Sequence, residues 1–170
     1  MKLVVAVDKE WGIGYKGGLL AAVKADLAHF RELTTGKTVV LGSTTLKTFP
    51  GGRPLKNRKN LILSRNPNLA PEGATVLRSV KEVVDYQKEH PEQELVVIGG
   101  ASIYEQMLPY CDTAYVTLFE ETFPKDTYFP NLDADPHWQC VQLSQQMKST
   151  GETDTIDGMT YRFATYKRTN

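Results

Sequence analysis

The sequence predicts an α/β protein: a mostly parallel central sheet with helices on both faces and an antiparallel C-terminal edge. Three observations predict it. The runs Leu3–Val7, Thr38–Leu41, Asn60–Leu63 and Glu94–Ile98 are rich in Val, Ile and Leu with little alternation, as strands covered on both faces are. Helix-like stretches lie between them. The last third turns to alternating segments, which suit antiparallel strands with one covered face.

In chain order, Lys24–Thr34 places Leu27, Phe30 and Leu33 on one helical stripe. Ser79–Glu89 opens with a Ser N-cap and Glu82 three residues later, a capping-box pattern. Gly100–Leu108 follows a strand directly and holds Ile103 and Met107 at helical spacing. Ala114–Phe119 alternates Tyr115, Thr117 and Phe119 with Val116 and Leu118. Trp138–Leu143 is strand-like but less regular. Met159–Lys167 alternates again, and the polar Ser149–Gly158 before it reads as a hairpin connection. Repeats, low-complexity tracts and linkers are absent, so residues 1–170 read as one domain.

The chain has 170 residues, 41% hydrophobic and 24% charged, an ordinary globular composition. Its 20 basic and 20 acidic residues cancel, which argues against a protein that coats nucleic acid. The distribution is polarised, however. From Leu33 to Pro71 there is no Asp or Glu, while Lys37, Lys47, Arg53, Lys56, Arg58, Lys59 and Arg65 are all basic. An anionic ligand and a solvated basic face both explain that window. Cys111 and Cys140 have neither metal-ligand nor redox spacing. No N-terminal signal and no membrane-length apolar run is visible, so the expected setting is cytoplasmic.

Chemistry has four candidate places. The connection Asp8–Ala22 is long and glycine-rich, with Gly12, Gly14, Gly17 and Gly18, as a functional lid or a plain surface loop would be. Asp26 stands early in the following helix, beside Leu27 and Phe30. It reads either as an acid favoured by the helix dipole or as a desolvated carboxyl of raised pKa that handles protons near neutral pH. Pro50–Asn60 joins turn residues to a basic strand entry, where an arginine can grip a carboxylate with two parallel hydrogen bonds. Val96–Tyr104 runs from a strand through Gly99-Gly100 into a helix, which suits a phosphate or a tight turn. His29, His90 and His137 lack ligand spacing, so no metal is expected. Ser43, Ser64 and Ser102 lack a nucleophile elbow, and Trp11 and Trp138 read as packing residues.

Together these pieces resemble dihydrofolate reductase of the bacterial type. The resemblance rests on Ala6-Val-Asp-Lys-Glu-Trp-Gly-Ile-Gly14, Asp26-Leu-Ala-His-Phe30 with Thr34, Gly42 and Thr45. It continues through Gly52-Arg-Pro-Leu-Lys-Asn-Arg-Lys-Asn60, Val97-Ile-Gly-Gly100, Tyr104, Thr117 and Asp126-Thr-Tyr-Phe-Pro130. It implies hydride transfer from NADPH to 7,8-dihydrofolate, giving tetrahydrofolate for one-carbon metabolism, by a monomer that also binds antifolates. Asp26 would promote protonation at N5, with Thr117 in its hydrogen-bond network. Val5, Ala6, Leu27, Phe30, Phe49, Pro50 and Leu55 would wall the substrate pocket, and Arg58 would hold the glutamate α-carboxylate. Ala6, Ile13, Gly14, Leu19 and Ile98 would meet the nicotinamide. Gly42, Ser43, Thr44, Thr45, Ser64 and Arg65, then Gly99, Gly100, Ala101, Ser102, Ile103 and Tyr104, would line the rest of the cofactor. An adenosine-binding lobe would span about 38–89, and the Gly99–Gly100 peptide is expected to be cis.

Two departures from the family's pattern matter. Its Leu-Pro-Trp appears here as Leu19-Leu20-Ala21, so the indole that helps close the site is missing. Its arginine after the glycine matched by Gly42 is replaced by Ser43, which predicts weaker discrimination of NADPH over NADH. A same-fold pyrimidine reductase and a catalytically impaired nucleotide-binding module are the alternatives. Asp26, Phe30 and Arg58 argue against both.

Overall fold

The computed structural model describes residues 1–169. In chain order the elements are β1 (Lys2–Val7), β2 (Gly12–Gly14), α1 (Lys24–Thr34), β3 (Thr38–Gly42) and α2 (Ser43–Thr48). Next come β4 (Lys59–Leu63), β5 (Thr75–Leu77), α3 (Val80–Glu89), β6 (Leu95–Gly99) and α4 (Ala101–Met107). The last are β7 (Thr113–Phe119), β8 (Thr127–Tyr128), β9 (Trp138–Leu143), β10 (Met147–Lys148) and β11 (Thr160–Arg168).

The chain divides into two compact units. One comprises Met1–Leu3 and Leu33–Cys111; the other comprises Val4–Glu32 and the chain from Asp112 onward.

In the first unit the order is the start of β1 (Lys2 and Leu3), then β6-β3-β4-β5, and every neighbouring pair is parallel. Every residue of β3 and β6 is buried, which explains why neither run alternates in sequence. Val39, Val40, Leu41, Ile62, Leu95 and Val97 have no exposed surface, and each such side chain stabilises the fold by about 1.5–3 kcal/mol. Ser79 caps α3 as its spacing suggests, accepting the Glu82 N–H at 3.2 Å. The reciprocal arm differs: the Glu82 carboxylate takes the N–H of Arg78 rather than that of Ser79.

In the second unit β11 is the hub. It pairs antiparallel with β7 on one side, from Tyr161↔Phe119 to Lys167↔Thr113, and with β9 and β10 on the other. Trp138 is the only buried residue of β9, whose remaining positions are exposed, which is why its pattern is irregular. Residues 149–159 connect β10 to β11 as the polar hairpin expected there. A separate two-stranded ribbon joins β2 to β8. Neither ribbon strand is legible from periodicity, since they have three and two residues. The six-residue α2 is equally short, and no sequence pattern marks it.

Trp11 is buried, stacked on Phe129 at 6.2 Å, and Trp138 is buried beneath the Arg168 guanidinium at 4.7 Å, so both are packing residues. Cys111 is buried and Cys140 exposed, and neither is in a disulfide.

Candidate active site

In the second unit the chemistry gathers at the first turn of α1. The Val23 carbonyl accepts the Leu27 N–H at 3.0 Å, so Val23 stands at the N-cap and Asp26 three residues into the helix. Thr117, buried on β7, donates its hydroxyl to Asp26 Oδ1 at 2.5 Å. Burial pushes the Asp26 carboxyl above the usual carboxylate range, against the Thr117 hydrogen bond and the field of His29. His29, one turn further along, stacks on Phe163 of β11 at 4.0 Å. Behind the acid lies an apolar cluster of Ala21, Val23, Phe119, Met159 and Tyr161, with Ala6 and Phe163 packed against it. Ala21 is therefore a core residue here, 7% exposed, where the family's pattern places an indole. Val5 on β1 is buried, Ala6 and Phe30 are half-buried, and Leu27 is 46% exposed.

The glycine-rich connection is tied down rather than loose. Asp8 is 2% exposed; its Oδ1 accepts the N–H groups of Glu10 and Gly12 at 2.9 and 2.8 Å. Its Oδ2 accepts the Phe123 N–H at 3.2 Å and lies 2.9 Å from Lys125 Nζ. Burial penalises this charge, yet Lys125 and the three N–H donors hold the carboxyl below its ordinary value. The β2–β8 ribbon carries Ile13, half-buried, and Gly14, buried. Leu19, beyond the ribbon, is 71% exposed.

In the first unit the anticipated cofactor residues meet at the carboxyl ends of parallel strands, where ligands of open α/β sheets bind. Gly42 ends β3 and caps α2; Gly100 follows β6 and caps α4. Neither helix start has a side-chain cap, so the backbone there is open to a phosphate. The Gly99–Gly100 peptide is cis, as expected. Gly99 has φ of 125°, a conformation only glycine adopts readily, and a Cβ there would meet Tyr104 at 3.3 Å. At Gly100 a Cβ would meet Thr45 Oγ1 at 3.3 Å, and at Gly42 it would stand 2.9 Å from Ile103. Thr45, Gly99, Gly100 and Tyr104 thus form one cluster, and Gly42 and Ile103 a close contact. These open glycine turns fit a dinucleotide.

Ser64 and Arg65 follow β4. The Ser64 hydroxyl accepts the Asn66 N–H at 3.2 Å, and Arg65 is exposed. Arg78, to which the sequence reading assigns no role, reaches the carbonyls of Ser64, at 3.3 Å, and Asn66 with its guanidinium. Its sequence signal is a basic residue between a short strand and an N-cap serine. Phe49 and Leu55 are half-buried and Pro50 is exposed. Arg58 is oriented by Thr34, whose hydroxyl accepts from Nε at 3.2 Å, and by the Lys56 carbonyl, which accepts from Nη1 at 2.8 Å. A polar cavity of ≈ 460 Å³ lies at the amino ends of β3, β4 and β6, lined by Lys37, Arg58, Lys59, Glu92 and Glu94 among others. It lies at the end of these strands opposite the glycine turns. Among the described residues, no group of three or more His, Cys, Asp or Glu could hold a metal ion. No helix among them is long and apolar enough to cross a membrane.

A parallel sheet opening through glycine turns, in a chain with a half-buried carboxyl of raised proton affinity held by a buried hydroxyl, defines the class: an α/β nucleotide-dependent oxidoreductase. Comparison with known proteins narrows it. The family model described as dihydrofolate reductase matches residues 1–168. The dihydrofolate reductase of Bacillus subtilis is 34% identical over 170 residues, covering 100% of this chain and 95% of that one. That of Schistosoma mansoni is 31% identical, covering 98% and 95%. The structure of dihydrofolate reductase from Enterococcus faecalis complexed with NADP(H) and RAB-propyl superposes with a TM-score of 0.85 at 32% identity, covering 99% of this chain and 96% of that one. The chain belongs to the dihydrofolate reductase family. It is an oxidoreductase that transfers a hydride from NADPH to 7,8-dihydrofolate to give tetrahydrofolate.

Proposed function

We propose that Asp26 is the acid of this reaction, promoting protonation at N5 while the hydride is added at C6, and that Thr117 orients it. The observation that carries the reading is the pairing of a half-buried carboxyl with a buried hydroxyl at 2.5 Å. A carboxyl whose proton affinity is raised by burial keeps its proton closer to neutral pH, and proton transfer of this kind contributes about 10²–10⁴-fold. NADPH, when bound, supplies the hydride.

The remaining roles follow the same division. Val5, Ala6, Leu27 and Phe30 of the second unit have a substrate-contacting role, and Phe49, Pro50 and Leu55 of the first unit have the same role. Arg58, its fork oriented by Thr34, takes the glutamate carboxylate. Ala6, Ile13, Gly14, Leu19 and Ile98 serve the nicotinamide. Residues 42–45 and 99–104 serve the rest of the cofactor. Ser64 and Arg65 serve its 2′-phosphate, with Arg78 as a second cation on the same turn. The chain works as a single domain with an adenosine-binding lobe over about 38–89. It works as a cytoplasmic monomer without a nucleic-acid partner and is open to antifolates, and its zero net charge supports the absence of nucleic acid.

The test is loss of NADPH absorbance on adding dihydrofolate, with Asp26→Asn alongside. The expected outcome is turnover that falls by about a hundredfold or more in the variant. Unchanged turnover in Asp26→Asn overturns the assignment, and tight cofactor binding without turnover in the wild type favours an impaired module.

A further inference from the structure

Helix α1 lacks a local cap. Its N-cap residue, Val23, is 1% exposed and has no side-chain acceptor, and Ala22 before it has none either. The acceptor arrives from far along the chain. Asp154 Oδ1 accepts the Lys24 N–H at 2.7 Å, while Oδ2 accepts the Thr150 N–H at 2.8 Å. Thr155 grips the preceding residue: its hydroxyl accepts the Ala22 N–H at 2.9 Å, and its own N–H donates to the Ala22 carbonyl at 2.9 Å.

The hairpin that carries these groups is ordered from within. Ser149 Oγ donates to the Ile156 carbonyl at 2.5 Å and accepts the Met159 N–H at 2.9 Å. Gly151 N–H donates to Asp157 Oδ1 at 3.0 Å. Ile156 also packs against the apolar cluster behind the acid. Lys24 is two residues before Asp26, so whatever holds the Lys24 N–H holds the turn that carries the acid.

We propose that Asp154 is a positioning residue for the reaction, a cap contributed by the hairpin that fixes the first turn of α1 and so aims the Asp26 carboxyl at Thr117. The inference rests on Asp26 being the acid. The Lys24 and Thr150 N–H groups keep Asp154 below the usual carboxylate range, so it is ionised at neutral pH. Burial and then the two carboxylates, Asp154 and Asp26, all raise the Tyr161 phenol, which places both charges within reach of one side chain. The groups that shift Asp26 are Thr117 on β7 and His29 on its own helix, and Tyr161 on β11 feels its charge.

Position and charge separate experimentally. Asp154→Asn keeps an acceptor oxygen and removes the charge; Asp154→Ala removes both. The pH profile of kcat/KM for dihydrofolate is measured on each, with NADPH affinity and melting temperature alongside. The expected result for Asp154→Ala is a low-pH plateau about tenfold lower per folded enzyme, with unchanged NADPH affinity. For Asp154→Asn the plateau recovers to within about threefold of wild type, because the cap persists. Its inflection stays at the wild-type pH, whereas that of Asp154→Ala moves to higher pH, because a loosened Thr117 bond no longer favours the ionised form of Asp26. A wild-type plateau in Asp154→Ala, or a loss in Asp154→Asn as deep as in Asp154→Ala, overturns the proposal. A change in melting temperature without change in plateau or inflection also overturns it. Full turnover in Asp26→Asn would instead locate the failure in the assignment of the acid.

Discussion

At position 26 burial raises a carboxyl's proton affinity, and that has a stability consequence as well as a catalytic one. A folded-state pKa above the unfolded value means that the folded protein binds the proton more tightly. The stabilising contribution is fully present below the ordinary carboxylate pKa and is lost as pH rises through the folded value. Asp26→Asn is accordingly expected to melt higher than wild type at neutral pH and to lose that advantage in acid; an equal gain at both pH values would contradict it. Position 43 makes the opposite kind of argument, from a missing charge. Ser43 offers no cation to a 2′-phosphate, while Arg65 is exposed and Arg78 is held on backbone carbonyls of the Ser64 turn. The expected outcome is a ratio of kcat/KM for NADPH over NADH below about a thousandfold, with Arg78→Ala lowering it further.

Among elements, the β2–β8 ribbon shows how a glycine can be dictated by a neighbour's side chain. Lys125 Nζ lies 2.9 Å from Asp8, 2.6 Å from Glu10 and 3.0 Å from the Phe123 carbonyl. To reach them its stem crosses Gly12 so closely that a Cβ there would be 1.9 Å from Lys125 Cδ. Gly12→Ala must therefore displace the lysine and uncover the buried Asp8 charge, the loss that Lys125→Met produces directly. Each variant is expected to lower the melting temperature more than Lys81→Ala, which removes only a surface pair with Asp85. In the double variant the two losses do not add. Additive losses would show that the glycine serves the backbone instead.

For the whole molecule, neutrality is the sum of unequal parts. The acid-free window from Leu33 to Pro71 lies entirely in the first unit, with Arg58 and Arg65. Not every cation in it is available to a ligand: Lys37 is paired with Glu94 at 2.7 Å, and Glu94 also binds Lys2. The Lys2 and Lys37 bonds hold the Glu94 carboxyl below its usual range, which marks a structural triad at the amino end of the sheet. The window's remaining positive charge suits a ligand carrying phosphates and carboxylates.

Much of this was legible in the chain itself, for reasons that differ by element. The continuous apolar runs of β3, β4 and β6 announce strands buried on both faces, and the stripe of α1 and the Ser79 cap of α3 announce helices. Each is a local pattern long enough to repeat. The short α2, β2 and β8 have too few residues for any period to register. Asp26 could be singled out as a carboxyl beside an apolar stripe, but its burial and its bond to Thr117 join residues 91 positions apart. The Lys24 cap from Asp154, 130 positions away, and the route of Lys125 over Gly12 are likewise products of tertiary packing. The longer strands and helices, and the places of glycine and acid, can be read from the chain alone, because those depend on neighbours along it. Which carboxyl is desolvated, which is paired and which caps a distant helix emerges on folding, because proton affinity and hydrogen bonding depend on neighbours in space.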